Sequence, residues 1–264
     1  MHLPLRPECP PSGSAADPRL EKLHSIFLAA RRTAFYGWAA VPSLEEVPGQ
    51  RSLGALLAGF RVVPLAEFLA RREEFLVPGA ASVFAPRKGV QSVPNGWRAR
   101  LGFRAEAMEG SAAALLRIAD SGDALRRLRG ARRVLVNTLL GEPLLSEAMR
   151  ERLWSAFELP VLERLCSFHG ETLASECDAH DGLHLDAQAA VFELIGGELV
   201  VTSLAWVHCP VIRLGTGWAG VIAQARCACG DNAPRFLPTA ADSRRLRPVG
   251  TASQFRSPGL PVNW

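Results

Sequence analysis

Ala189-Ala190-Val191-Phe192-Glu193-Leu194-Ile195-Gly196-Gly197-Glu198-Leu199-Val200-Val201-Thr202-Ser203-Leu204 is two apolar-rich runs joined by two glycines. A two-residue hairpin turn needs positive φ, which glycine adopts without steric cost, so this stretch predicts an antiparallel hairpin. The β pattern extends outward from it. Val211–Leu214 and Val221–Ala225 are strand candidates, and the chain after Leu159 reads as mostly strand. Upstream, Val134-Leu135-Val136 has the short apolar character of a buried strand. Ser146 is placed to cap a helix running to Phe157, with Met149, Leu153, Trp154 and Phe157 on one face. Nearer the N-terminus, Leu20, Leu23, Ile26, Phe27 and Ala30 recur at helical spacing behind Asp17-Pro18, a stretch that Phe35-Tyr36 ends. Leu53 to Phe60 and Leu65 to Phe75 predict two further short helices, and Ser111 to Leu128 one interrupted near Gly122. Residues 78–110 show no period and read as irregular. The pattern is that of an α/β protein with helices first and a β-rich part second.

The chain divides into a Pro-, Ser- and Gly-rich tail (1–17) expected to be disordered, a helical part (18–130), a β-rich distal part (131–241) and a polar C-terminal tail (242–264). Its 264 residues are 48% hydrophobic, enough for a substantial core. The charge of +4, from 30 basic and 26 acidic residues, is too balanced to imply a polyanionic partner. Arg126-Arg127-Leu128-Arg129, Arg132-Arg133 and Arg244-Arg245-Leu246-Arg247 are local basic clusters without interleaved aromatics. They read as solvated faces rather than as a nucleic-acid interface. No run reaches the roughly 18 apolar residues of a membrane span, and no export signal opens the chain, so the expected location is cytoplasmic.

Cysteine usage points to a metal. The six cysteines do not suggest a disulfide framework. Cys177 and His184 form a C-x6-H element, and Cys227 and Cys229 form C-x-C. Both lie at turns between strand candidates, where the backbone can bend around an ion. Three thiolates and one imidazole suit tetrahedral Zn²⁺ in a closed, structural site. Cys209 or His180 is available to replace one ligand. Cys166 and His169, three apart with no third orienting group, read as a core residue and a loop histidine rather than a catalytic pair. The six tryptophans read as core or interface residues.

Other motifs follow in a fixed order: Gly141-Glu142-Pro143-Leu144, Ser175-Glu176-Cys177, Asp181-Gly182-Leu183-His184, the glycine hairpin, Pro210-Val211-Ile212-Arg213 and Thr216-Gly217. In this order and spacing the chain resembles the distal half of the large domain of phenylacetate–CoA ligases, a branch of the adenylate-forming (AMP-binding) enzymes. Leu20 to Tyr36 and Val62-Val63-Pro64 with Glu67 are similar to that family's opening segments. The resemblance implies a shortened adenylate-forming large domain. It also implies a structural zinc at the Cys/His positions, and Glu142 and Arg213 as vestigial nucleotide-pocket residues, Glu142 reading chiefly as a turn former.

The same resemblance marks what has changed. The family's Ser/Thr/Gly-rich phosphate loop would lie between Gly79 and Gly130, yet no clustered hydroxyl and glycine run occurs there. Such a loop works by converging backbone N–H groups on phosphate oxygens. An internal deletion is therefore expected. The family's Tyr-Gly-x-Thr-Glu motif falls on Leu165, Cys166, Ser167, Phe168 and His169, which lack the stacking ring and the magnesium carboxylate. Its ribose-binding Asp falls on Trp218, which cannot accept ribose hydroxyls. The family also carries a C-terminal lysine, and no lysine follows Lys88 here. These departures predict a non-catalytic binding or accessory protein with a protein partner or as a homodimer. A carboxylate-activating ligase using ATP, Mg²⁺ and CoA, alone or with a partner subunit, is the alternative, and a zinc-containing nucleic-acid binder a more distant one.

Overall fold

The computed structural model describes residues 17–37, 53–80, 107–121, 131–168 and 170–239. The expected disordered N-terminal tail up to residue 16, the C-terminal tail, His169 and most of the basic clusters lie outside them. Helix α1 (Pro18–Ala30) starts where the sequence marks it: Asp17 accepts the Arg19 backbone N–H, and Pro18 sits in the first turn, where its missing donor costs nothing. It buries Leu23, Ile26, Phe27 and Ala30 against α2 (Leu53–Leu57), Phe60, Leu204 and Ile212. Helix α3 (Leu65–Ala70) stops short of the expected Phe75, and a 3₁₀ turn over Arg72–Phe75 completes the segment. Phe68 and Phe75 are nonetheless both buried, because the tighter turn still points Phe75 inward.

Nine strands make one sheet among the described residues: β1 (Ala107–Gly110), β2 (Arg133–Leu139), β3 (Val161–Cys166), β4 (Thr172–Glu176), β5 (Leu183–Leu185), β6 (Ala190–Ile195), β7 (Glu198–Ser203), β8 (Leu214–Ala223) and β9 (Arg235–Pro238). Their spatial order is β1-β2-β3-β4-β5-β9-β8-β7-β6. The first three are parallel, linked by α4 (Ala112–Asp120) after β1 and α5 (Glu147–Phe157) after β2; the remaining pairings are antiparallel. Both crossover helices pack Leu115, Ile118, Leu153 and Phe157 onto Val134, Val136 and Val161.

Three expectations need correction. Residues 107–110, read as irregular, form β1, whose four residues are too few to show a period. Val211–Leu214 is not a strand: Arg213 takes a left-handed φ of 57°, and β8 begins only at Leu214 and runs through to Ala223. Trp154 leaves the buried face of α5 and is 58% exposed, because Leu153 and Phe157, four apart, already fill the seat above the sheet. The cap and the hairpin hold. Ser146 Oγ accepts the Met149 N–H at 3.3 Å, and Gly196 and Gly197 both have positive φ between β6 and β7.

A buried carboxylate sits between the crossover helix and the sheet. Glu163, 5% exposed, accepts from Thr138 Oγ1 at 2.6 Å and from the Leu145 N–H at 2.8 Å. Burial raises its pKa above the ordinary glutamate value, against the pull of those two hydrogen bonds. An acid whose folded pKa is raised keeps its proton longer in the native than in the unfolded chain. Stability therefore falls as pH climbs from the ordinary glutamate value, about 4.3, toward the raised one. Glu163→Gln keeps an acceptor for both donors and should abolish that fall, visible as a flatter profile of urea midpoint against pH than in the unchanged chain.

Candidate metal centre

The β4–β5 and β8–β9 connections meet at one end of the sheet. Cys177 follows β4 directly, and the chain turns through His180, whose N–H bonds the Cys177 carbonyl at 2.9 Å and whose φ is 51°. Gly182 completes the turn at φ 84°; a Cβ there would lie 2.6 Å from the Phe236 carbonyl oxygen, so only glycine lets β5 approach β9. His184 is the middle residue of β5 and 9% exposed. On the other side, Cys227-Ala228-Cys229-Gly230 forms a tight knuckle: the Gly230 N–H bonds the Cys227 carbonyl at 2.9 Å, and the Cys227 N–H bonds the Asp231 carbonyl at 3.0 Å. Gly230, at φ 92°, carries the chain out of the turn.

The four side chains converge. Cys177 Sγ and Cys227 Sγ are 3.6 Å apart, Cys229 Sγ and His184 Nε2 are 3.6 Å apart, and all four ligand atoms lie within 4.8 Å of one another. A disulfide would need about 2.05 Å between sulfurs, so the cysteines are free thiols. An ion with bonds near 2.3 Å at the centre of a tetrahedron places its ligands about 3.8 Å apart. Two edges of the group, at 3.6 Å, come close to that length before any ion is considered, and this group of four can hold a metal ion. The thiols are not equivalent. A backbone hydrogen bond from Cys229 lowers Cys227 to about 7, whereas desolvation raises Cys177 to about 11. Of these two thiols, Cys227 is the more readily ionised.

The two suggested substitutes are elsewhere. Cys209 is buried in the main core at 2% exposure, and His180 Nδ1 is 3.1 Å from Glu176 Oε1. Cys166 is also a core residue, its thiol pushed up to about 11 by burial. Glu142 forms the turn after β2: its carboxylate accepts the Leu139 N–H at 3.0 Å, and burial raises its pKa. Arg213 is locked in a bidentate pair with Glu193 at 3.0 and 3.1 Å and donates to the Phe60 carbonyl at 2.6 Å. Trp218 is 3% exposed and donates its indole N–H to the Glu142 carbonyl at 3.1 Å. Phe168 stacks on Phe68 at 5.1 Å and lies 5.8 Å from Trp206.

Two neighbours of the metal cluster escaped the sequence reading. Asp231 Oδ2 is 3.5 Å from His184 Nδ1, and Arg235, 4% exposed, is the cross-strand partner of His184. Asp231 stands two residues after Cys229, so proximity in sequence was the available signal. Arg235 has none, because its place depends on the β5–β9 register.

Among the described residues no helix is long and apolar enough to cross a membrane. No family model matches the chain, and no curated protein matches it. Among solved structures it is similar to 2-hydroxyisobutyryl-CoA ligase in an open conformation with 2-HIB-AMP and CoA, at 17% identity and TM-score 0.42, covering 50% of this chain and 32% of that one. It is likewise similar to the same ligase in the postadenylation state with 2-HIB-AMP, at 18% identity and TM-score 0.40, covering 49% and 31%. The chain therefore spans about a third of the length of these ligase structures.

Proposed function

We propose that this chain is a relative of adenylate-forming acyl-CoA ligases, of the phenylacetate branch, whose nucleotide pocket has been converted into core. In this reading it works as a non-catalytic binding or accessory protein, held together distally by a structural zinc. The observation that carries the reading is Trp218. It occupies the position where the family motif places its ribose-binding Asp, it is 3% exposed, and its indole N–H ends on the Glu142 backbone. An indole offers a donor but no acceptor, so it cannot hold a ribose diol. Arg213 and Phe168, at two further motif positions, are likewise engaged in packing and ion pairing. Catalysis of adenylation is mostly charge stabilisation of phosphoryl oxygens, and the residue types for it are missing from the corresponding internal positions.

Zinc is the ion that the donors favour: three sulfurs and one imidazole nitrogen at tetrahedral spacing, with four protein ligands leaving no position for a reactive water. Cys177, His184, Cys227 and Cys229 would hold it, and its role would be to staple two loops. ATP–pyrophosphate exchange tests the central reading. With a panel of aryl, fatty and 2-hydroxy acids, the purified full chain should give exchange indistinguishable from a no-protein control. Exchange that depends on any one acid would establish a working ligase instead.

A further inference from the structure

We propose that Arg235 and Asp231 form the outer shell of the metal centre, Arg235 as counter-charge to its thiolates and Asp231 as the group that orients His184. This rests on the zinc reading above. Three thiolates and a neutral imidazole around a divalent ion leave one net negative charge, and a charge at a site with buried Cys227 and His184 is costly unless a partner balances it. Arg235 is the buried cation in position to do so. His184 and Arg235 are paired across β5 and β9, so both side chains emerge on the same face of the sheet. Its guanidinium is wired to both ligand loops. Nη1 donates to the Asp181 carbonyl at 2.7 Å and to the Asp181 carboxylate, between Cys177 and His184. Nη2 donates to the Ala225 carbonyl at 3.3 Å, two residues before Cys227.

Two atoms at this place are unused. Among the described residues only three buried side-chain polar atoms lack a hydrogen-bond partner, and Arg235 Nε and His184 Nδ1 are two of them. Buried polar groups are ordinarily satisfied, so both point to interactions still to be completed. Asp181 supplies the first balance to Arg235, but its side chain is 53% exposed and water weakens that pairing. For His184, Nε2 faces the Cys229 sulfur, leaving Nδ1 on the outer side. Asp231 Oδ1 is held by the Ala233 N–H at 2.9 Å, which directs Oδ2 toward Nδ1 at 3.5 Å. A metal-bound imidazole gains basicity and a fixed ring plane when its other N–H meets a carboxylate.

The test uses full-length Arg235→Met, Arg235→Lys and Asp231→Asn beside the unchanged chain. Zinc affinity is read by competition with a chromophoric chelator, and thermal midpoints are taken for metal-free and zinc-loaded protein. Arg235→Met should weaken zinc binding by about 10–100-fold, and Asp231→Asn by about 10-fold. Arg235→Lys, which keeps the charge without the fork, should recover part of the loss. The rise in midpoint on adding zinc should shrink in the same order. A residue that merely braces the loops would lower both midpoints together and leave affinity unchanged; that result in Arg235→Met and Asp231→Asn overturns the proposal, with Arg235→Gln read in its place should Arg235→Met not fold. Zinc bound normally by every variant would refute the outer shell while leaving the zinc reading intact. No zinc bound by the unchanged chain would refute both.

Discussion

With zinc held as proposed, a strong chelator should lower the thermal midpoint of the freshly purified protein by about 10 °C. At free metal a thousandfold above the dissociation constant, binding to the native state alone contributes about 4 kcal/mol. For a domain of this size each kcal/mol shifts the midpoint by about 2–4 °C. The effect should be regional. The ion would join Cys177 to Cys227, 50 residues apart, and with them β4, β5, β8 and β9. Amide exchange in those strands should accelerate on chelation, while β2, α4 and α5, which own a separate apolar cluster, keep their protection. Cys227→Ser should reproduce the chelated state. Metal analysis well below one zinc per chain, or a midpoint indifferent to chelation, would remove the staple.

Trp218→Ala should cost about 3–5 kcal/mol, the range for emptying a large buried aromatic site. The indole packs in the main cluster with Leu140, Leu214 and Phe236 among its members, and its N–H satisfies the Glu142 carbonyl. Trp218→Phe separates the two contributions. It keeps most of the volume but leaves the carbonyl without its donor, which should cost about 1–3 kcal/mol. Equilibrium urea denaturation measures both. If Trp218→Ala were tolerated within about 1 kcal/mol, less than a buried aromatic commonly contributes, the indole would not be core. The conversion of the old pocket would then lose its main support.

The four clustered donors were legible because ligand chemistry is narrow: few residue types bind a soft cation, and C-x-C beside a turn is a compact signal. The Gly196-Gly197 hairpin, the Ser146 cap and the start of α1 were legible for a similar reason, since each rests on local backbone chemistry within four residues. The face of α5 was misread at Trp154 because helical spacing says which residues share a side, not which of them the neighbouring sheet has room for.

The parallel β1-β2-β3 arrangement lies beyond local reading, since its pairings join residues such as Met108 and Val134 through hydrogen bonds that leave no periodic trace. By itself, then, the sequence determined the Gly196-Gly197 turn, the helix starts at Asp17 and Ser146 and the four donors, all of which depend on side-chain identity and short-range backbone preference. Only the tertiary structure decided that Arg235 stands beside His184, that Trp218 closes onto Glu142, and that Arg213 is spent on Glu193 and Phe60. Those contacts depend on strand register and chain crossing, where a shift of one residue would turn each side chain to the opposite face.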